Sequence, residues 1–208
     1  WEWMEQNPLR RISKLREPEG RIRFLDDKEQ TRLLDACKNS KSPFLFLIVL
    51  VGIATGMRLN EIVSLSWPQI DLRKGVIVIN ITKNKRPRQV PLQGPALIEF
   101  VRHSKVRRID SDLVFPSSHY PSVPVSIRTA WESARERAEV PNFRFHDLRH
   151  TSASYFAMSG ASARDLCEIF GWKTLQMAMR YAHLSECHTV QIAATMNERF
   201  VQKQKGNL

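Results

Sequence analysis

Cysteine is scarce in this chain of 208 residues, which contains only three of them. Cys37, Cys167 and Cys187 lie far apart, so they suggest neither a metal-binding pair nor a disulfide framework, and we expect a reducing, cytoplasmic environment. The overall composition, with 42% hydrophobic and 25% charged residues, is ordinary for a globular protein. It excludes disordered, fibrous and collagen-like classes.

The chain also lacks a hydrophobic run long enough to cross a membrane. Its longest uncharged apolar run extends only from residue 44 to residue 54, whereas a bilayer crossing needs about 20 residues. The first residues do not form the basic region and apolar stretch of a signal peptide. We therefore expect residues 44–54 to form a buried helix.

Acidic residues are few in comparison with basic ones. Asp and Glu number 21 against 32 Lys and Arg, which gives a formal net charge of +11 at pH 7. This imbalance carries no information about the fold, but it favours a polyanionic partner, either nucleic acid or an acidic membrane surface.

Residues 1–22 differ in character from the rest of the chain. Residues 1–6 fit the end of a helix, whereas the stretch that follows carries mostly basic charge. Pro8, Pro18 and Gly20 interrupt any helix in this stretch. We expect an extended basic linker that ends near residue 22, followed by one domain over residues 23–208.

Hydrophobic periodicity predicts a mainly α domain with one small antiparallel β-sheet or hairpin. Strands are expected over residues 76–81 and 88–92, on either side of a polar turn, and residues 113–115 form a candidate short strand. A short segment over residues 60–65 follows the buried helix. The other expected helices cover about residues 27–37, 95–105, 125–138, 146–158, 162–170, 174–183 and 187–200.

Two groups of basic residues are candidates for binding phosphate. Arg58 follows a Thr-Gly break after the buried helix, where Glu61 either orients it towards a phosphate or forms an ordinary surface ion pair with it. In the predicted hairpin, four basic residues form either a solvated turn or a turn inserted into a DNA groove. These four are Lys83, Lys85, Arg86 and Arg88.

A third group lies in the sequence His-Asp-Leu-Arg-His at residues 146–150. His146 and His150 share a helix face, as in a zinc-protease helix, but Asp replaces the expected Glu and Arg149 puts a positive charge beside the metal position. We therefore favour a second interpretation, in which His146 and Arg149 are two donors directed at one anion. We expect no bound metal.

Trp172 and Tyr181, nine residues apart, form the fourth group. Taken singly, each is typical of core packing on or near an amphipathic helix. The interpretation changes only when all four groups are considered in order along the chain.

The order and spacing of the four groups resemble the tyrosine recombinases, the family of phage-type integrases. The hairpin lysine of that family is followed eight positions later by a proline, as Lys83 is by Pro91. The family's His-x-Leu-Arg-His-Thr motif is present at residues 146–151, and its Gly-His/Trp and Tyr-x-His motifs at residues 171–172 and 181–183. The resemblance covers about residues 23–200 and implies the catalytic-domain fold of these DNA breaking-rejoining enzymes.

The resemblance implies covalent catalysis by Tyr181. This tyrosine would be the nucleophile that forms a 3′-phosphotyrosine bond with DNA, so that rejoining needs no ATP, cofactor or metal. Lys83 would be the general acid for the leaving 5′-oxygen, with Lys85 as the rival candidate. His146 would help to deprotonate the tyrosine.

The resemblance also implies a set of groups that stabilise charge on the phosphate. Fixed guanidinium and hydrogen-bond donors would replace metal ions in this role. The indole of Trp172 would act only as a donor, because it does not exchange a proton near neutral pH. The set consists of Arg58, His146, Arg149 and Trp172, with Glu61 and His150 in supporting positions.

The implied partner is double-stranded DNA carrying recombination sites, in a bacterial or phage-encoded protein that acts on the nucleoid and not on a membrane. Residues 1–6 would be the tail of a preceding core-binding domain, and strand exchange would use a tetramer. The helix over residues 187–200 would dock on a neighbouring protomer or on its own core. Sequence-independent phosphate contacts are expected from Arg10, Arg11, Lys14, Arg16, Lys85, Arg86 and Arg88.

Two alternative functions share parts of this chemistry. A type IB topoisomerase uses a related tyrosine, with its catalytic groups laid out differently, and relaxes supercoils as a monomer. A DNA-binding module of the same fold without catalytic activity is the second alternative, and the intact set of site residues argues against it.

Overall fold

The computed structural model describes residues 23–79, 87–185 and 196 of the chain. Within these ranges, eight α-helices and three β-strands form the fold, together with short 3₁₀ turns at Trp67–Gln69 and Ala182–Ser185. The strands are β1 (Ile70–Asp71), β2 (Val76–Ile79) and β3 (Arg88–Pro91). The helices are α1 (Asp27–Lys38), α2 (Leu45–Thr55), α3 (Leu59–Val63), α4 (Gly94–Ser104), α5 (Arg128–Arg137), α6 (Asp147–Met158), α7 (Ala163–Phe170) and α8 (Leu175–Met179).

Helix α2 is the centre of the larger core. It consists almost entirely of apolar residues, and a helix that is apolar all round is stable when it is buried on all sides. α1, α4 and α6 pack against it, and Ile48, Val49 and Val51 are inaccessible to solvent. The buried helix expected over residues 44–54 is thereby confirmed. No helix in the described ranges combines the length and the apolar character that a bilayer crossing requires.

The three strands form an antiparallel sheet in the order β1-β2-β3. Ile77 of β2 pairs with Ile70 on one side and with Val90 on the other. Ile77, Ile79 and Val90 are buried, as the alternation of β-branched residues predicts. The predicted hairpin is confirmed over β2 and β3, while its tip, residues 80–86, lies outside the described residues.

Helix α6 joins two clusters of buried side chains. Near its start, Leu148 belongs to the larger cluster, which includes side chains of α1 to α5 and of the sheet. Further along, Ala153 and Ala157 belong to a smaller cluster that they share with α7 and α8. The His-Asp-Leu-Arg-His motif therefore begins at the larger cluster and precedes the residues of α6 that enter the smaller one.

The helix expected over residues 174–183 is wrong in its length. α8 ends at Met179, and Tyr181 lies in a turn that leads into the 3₁₀ turn Ala182–Ser185. The Tyr181 N–H donates to the Ala178 carbonyl at 2.9 Å, and the Leu184 N–H donates to the Tyr181 carbonyl at 3.0 Å. Both bonds span three residues, so the chain tightens here instead of continuing as an α-helix.

The structure differs from the sequence analysis in two short strands, and two expected segments lie almost entirely outside the described residues. The sequence analysis missed β1, which has only two residues. Leu113, in the candidate strand over 113–115, makes only an isolated bridge, to Ser66. The helix expected over residues 187–200 lies outside the described residues except for residue 196, and the linker and the whole of residues 1–22 lie outside them too.

Candidate active site

Arg58 is positioned by the end of α2 and the start of α3. Gly56 ends α2 in the left-handed conformation, with φ of 61°, a backbone geometry that glycine adopts without strain. Arg58 then occupies the residue before α3, and its backbone N–H donates to Glu61 Oε2 at 2.9 Å. Its Nη1 donates to Glu61 Oε1 at 3.1 Å, and half of its side chain remains exposed. The guanidinium is thus oriented but accessible.

Glu61 connects two arginines. Arg88 Nη2 donates to Glu61 Oε2 at 2.9 Å, so each carboxylate oxygen accepts from a different guanidinium. Burial raises the pKa of Glu61, but the Arg58 backbone N–H and the charges of Arg88 and Arg58 outweigh it, and the net shift is downward. The carboxylate is therefore ionised near neutral pH.

The structure places Arg88 differently from the sequence expectation. The sequence grouped it with the exposed DNA contacts of the hairpin, whereas its side chain is only 10% exposed and is directed at Glu61. The sequence offered no signal for this pair, because the two residues are 27 positions apart and meet only when β3 packs against α7 and the α3 region.

Arg149 is held in the interior by backbone carbonyls. From α6, its Nη1 donates to the carbonyl of Gly56 at 2.7 Å and its Nη2 to that of Phe170 at 2.5 Å. The guanidinium carbon also lies 5.2 Å from the ring centre of Phe170 and 5.5 Å from that of Trp172. This side chain therefore fastens α6 to the ends of α2 and α7.

The charge of Arg149 persists despite its burial. Burial lowers its pKa to about 10, with further lowering by the charges of Arg58 and Arg88, while Glu61 and Tyr181 act in the opposite direction. A group with that pKa is protonated near neutral pH. Among the described groups that shift its pKa are two more guanidinium groups, those of Arg58 and Arg88, and one carboxylate, that of Glu61.

An aromatic stack positions Tyr181. Gly171 ends α7 in the left-handed conformation and turns the chain towards Trp172. The Trp172 ring stacks on Phe170 with centres 4.9 Å apart, and on Tyr181 with centres 5.6 Å apart and an interplanar angle of 6°. Tyr181 is 1% exposed, and burial raises its pKa to about 12 against the lowering effect of Arg149 and Arg180.

The hydroxyl of Tyr181 contacts His150. Its oxygen lies 2.5 Å from His150 Nδ1, and the His146 ring packs edge-on against the His150 ring at 5.6 Å. Burial lowers the pKa of both histidines, with additional lowering of His150 by His146 and of His146 by Arg149. Both rings are thus neutral at pH 7, and a neutral Nδ1 can accept the phenolic hydrogen bond. The resemblance implied that His146 would serve the tyrosine, but the hydrogen bond is made by His150.

Eight of the predicted site residues come together here. Arg58, Glu61, Arg88, His146, Arg149, His150, Trp172 and Tyr181 are linked by the contacts and charge interactions given above. The other predicted residues lie outside the described ranges: Arg10, Arg11, Lys14, Arg16, Lys83, Lys85 and Arg86. Within the described ranges no three His, Cys, Asp or Glu residues are grouped closely enough to hold a metal ion.

This arrangement can bind an anion and place a hydroxyl beside it. Arg58 is exposed on one side, Arg149 is preorganised by two carbonyls, and both are positively charged near neutral pH. Tyr181 supplies a nucleophilic oxygen, and His150 supplies a proton acceptor in contact with it. Such a combination suits the attack of a phenol on a phosphate ester.

Known proteins share both the sequence pattern and the fold. The model of the phage integrase family matches residues 23–188. The integrase of Salmonella phage P22 is 31% identical over 215 residues, covering 96% of this chain and 53% of that protein. The solved catalytic domain of bacteriophage HP1 integrase is 32% identical and covers 84% of this chain and 95% of that one, with a TM-score of 0.65.

A more distant structure agrees in fold. The Tn1549 transposon integrase, solved in complex with transposon right end DNA, has a TM-score of 0.70 over 86% of this chain and 68% of that one. At 14% identity this likeness concerns the fold alone. The chain spans about half the length of the curated relatives that it matches. The catalytic-domain fold expected from the sequence is confirmed.

Proposed function

Because the chain belongs to the phage integrase family, we propose that it is the catalytic part of a site-specific recombinase that cleaves and rejoins double-stranded DNA. The observation that carries this proposal is the position of Tyr181. Its hydroxyl contacts a neutral histidine, and its ring stacks on Trp172, which in turn lies against the Arg149 guanidinium. A phenol and a guanidinium thus both contact one indole.

In the cleavage step, the Tyr181 oxygen attacks a backbone phosphorus of DNA and displaces the 5′-oxygen. The bond between the tyrosine oxygen and phosphorus forms, and the bond between phosphorus and the 5′-oxygen breaks. The phenolic proton passes to His150 Nδ1, and Lys83 protonates the leaving oxygen to give a 5′-hydroxyl. The number of phosphoester bonds is unchanged, so the reverse step rejoins a strand without an energy source.

Arg58 and Arg149 stabilise the negative charge that develops on the phosphate oxygens. Arg149 is already fixed by two carbonyls, so it needs little reorganisation when the phosphate is bound. Removing one preorganised donor of this kind typically lowers a rate by about 10²–10³. His146 and Trp172 add neutral donors, and Glu61 keeps Arg58 in place.

The proposed partner is a DNA duplex in the bacterial nucleoid, bound by a tetramer of the full-length protein. A structural neighbour was solved with transposon DNA, and the net charge of +11 suits a phosphate backbone. The proposed phosphate contacts are Arg10, Arg11, Lys14 and Arg16 of the linker and Lys85 and Arg86 of the hairpin. Residues 1–22 are proposed as the connection to a preceding DNA-binding domain, and residues 187–200 as a helix that docks within the assembly.

The test is covalent capture of DNA by the protein. Nicked host genomic DNA is incubated with the chain in EDTA and denatured, and the protein-linked fragments are sequenced. We expect adducts with the wild type and none with Tyr181→Phe, which keeps the stacked ring and removes only the nucleophile. Tyr120→Phe is the matched control, since this tyrosine is exposed and lies on none of the helices that carry the site residues.

The outcomes separate the alternatives. Adducts that survive Tyr181→Phe would contradict the assigned nucleophile, and adducts that need a divalent metal would contradict the proposed chemistry. DNA binding without any adduct, from the full-length protein as well, would identify a DNA-binding module of this fold. Relaxation of supercoiled plasmid by isolated monomers, without joining of two sites, would indicate a topoisomerase.

A further inference from the structure

Arg88 is an unusual residue for a buried position. Its guanidinium makes one hydrogen bond to a described residue, from Nη2 to Glu61 Oε2 at 2.9 Å. Its Nε and Nη1 are inaccessible to solvent and have no acceptor among the described residues. Buried hydrogen-bond donors are nearly always paired. A guanidinium with two unpaired nitrogens at a buried position therefore needs a physical explanation.

The surroundings of Arg88 supply one part of that reason. A Cβ atom placed on Gly171 would lie 2.7 Å from Arg88 Nη1 and 3.1 Å from its Cδ. Arg88 therefore fills the space that this glycine leaves, directly beneath the turn that leads to Trp172. Its position joins β3 to the segment that carries the aromatic stack.

The bond to Glu61 supplies the other part. Glu61 Oε2 accepts from both Arg88 Nη2 and the Arg58 backbone N–H, which leaves Oε1 for the Arg58 guanidinium. Without Arg88, Glu61 Oε2 keeps only the Arg58 backbone N–H, and the carboxylate loses its bond to β3. Arg88 therefore restrains the direction of the Arg58 guanidinium through Glu61, from a different element.

Arg88 does not itself reach DNA in this arrangement. Its Nε and Nη1 are inaccessible, whereas half of the Arg58 side chain is exposed. Its influence on a bound phosphate therefore passes through Glu61 and the Gly171 turn.

We propose that Arg88 is a positioning residue of the phosphate site, which holds Glu61 so that Arg58 is directed at the scissile phosphate. This inference rests on the proposed function and adds a residue to it.

The test is a double-mutant cycle between Arg88 and Arg58. The single-turnover rate of adduct formation is measured for the wild type, Arg88→Met, Arg58→Ala and the double variant. The substrate is a DNA sequence identified by the covalent-capture experiment. If Arg88 acts through Arg58, Arg88→Met lowers the rate about 10- to 100-fold when Arg58 is present and less than about threefold in the Arg58→Ala background. A purely structural role predicts the same loss in both backgrounds and would overturn the proposal.

Two further variants separate positioning from folding. Arg88→Lys keeps a charge and one donor for Glu61, so it should recover part of the rate lost in Arg88→Met. If Arg88→Met does not fold, Arg88→Lys replaces it in the double-mutant cycle. Arg128→Met is the matched control, because Arg128 is an exposed arginine paired with Glu132 on α5. It should leave the rate unchanged, and thermal unfolding is recorded for all variants.

A second readout does not depend on activity. If the wild type forms no adducts, that result counts against the proposed function. The four proteins of the cycle are then compared by the shift in thermal unfolding temperature that inorganic tungstate produces. Arg88→Met should weaken tungstate binding when Arg58 is present and not in the Arg58→Ala background. Equal weakening in both backgrounds, or none in either, would overturn the proposal.

Discussion

Tyr181 cannot act as a preformed phenolate at the pH of a cell. Burial raises its pKa to about 12, so at pH 7 only about 1 in 10⁵ of these side chains is ionised. In the proposed cleavage step, the proton therefore leaves as the oxygen attacks, which requires an acceptor already in contact with the hydroxyl. His150 Nδ1 fulfils that condition at 2.5 Å, and its lowered pKa keeps it unprotonated.

Replacing His150 by Gln tests this assignment, since Gln can hydrogen-bond the hydroxyl but cannot take its proton. We expect the rate of adduct formation to fall by about 10²–10⁴. The wild-type rate should be level near pH 7 and should fall on acidification below 6.5, the ordinary histidine value, as His150 becomes protonated. His150→Gln should lose this acid limb.

His146→Gln is the matched control for that pH profile. Its pKa is also lowered, by burial and then by Arg149, but the hydrogen bond to the tyrosine is made by His150. We expect a lower rate because a phosphate donor is altered, with the acid limb retained. Loss of the limb in His146→Gln and its retention in His150→Gln would instead assign the proton to His146, as the sequence resemblance implied.

At the residue scale, the sequence predicted which residues meet but not all of their contacts. Motif spacing identified Arg58, Arg149, Trp172 and Tyr181 as one site because each lies in a recognisable local pattern. The contact between His150 and the tyrosine was not predictable, since His146 and His150 share one helix face. Which of them reaches the hydroxyl depends on the turn that follows α8.

At the scale of elements, the site depends on a close junction of α2, α6 and α7. The Gly56 carbonyl at the end of α2 accepts from Arg149 of α6, and Arg149 also donates to the carbonyl of Phe170 at the end of α7. A Cβ on Gly56 would lie 2.1 Å from Cε1 of the fully buried Phe170 ring. The glycine before the first site arginine is thus required for packing as well as for backbone conformation.

Gly56→Ala should therefore destabilise the fold strongly. The left-handed conformation at φ of 61° costs a non-glycine residue about 1–2 kcal/mol, and the overlap with Phe170 should add about 1–3 kcal/mol. Gly94→Ala is the matched control, because φ there is 58° and nothing lies within 4 Å of the added Cβ. Urea unfolding measures both variants, and equal losses of stability would show that Phe170 yields to the methyl group.

The sequence predicted long elements well and short ones poorly. α1, α2, α4, α6 and α7 begin and end within a few residues of the expected bounds. α1 and α7 begin at side-chain caps, and α2 is a continuous apolar run that ends at a glycine. β1 has two residues and cannot display an alternation. The helix expected over residues 174–183 was too long, because the hydrophobic pattern does not show that the hydrogen bonds at Tyr181 span three residues instead of four.

At the scale of the whole molecule, the first described residues are fastened to the helix that carries Arg149. The Leu25 N–H donates to Thr151 Oγ1 of α6 at 3.1 Å, and the Tyr155 hydroxyl donates to Asp27. Two hydrogen bonds thus join the start of the described chain to α6.

The last prediction concerns the basic segment, residues 7–22. Replacing Arg10, Arg11, Lys14 and Arg16 together by Gln should weaken binding to a random-sequence duplex. If all four contact phosphates, the slope of log affinity against log salt should decrease by about 3–4, since each contact contributes about 0.9. Fluorescence anisotropy at several salt concentrations measures the slope.

The matched control removes the same number of charges from another part of the surface. Arg102, Lys105, Arg107 and Arg108, replaced together by Gln, lower the net charge equally, although Arg102 and Arg108 already pair with Glu99 and Asp110. If only net charge mattered, both quadruple variants would change the slope alike, and the role of the linker would be refuted. If the linker lies on DNA, the slope of log affinity against log salt should decrease in the linker variant, whereas the control variant should keep the wild-type slope. The reason is that counterions are released only where side chains meet phosphates.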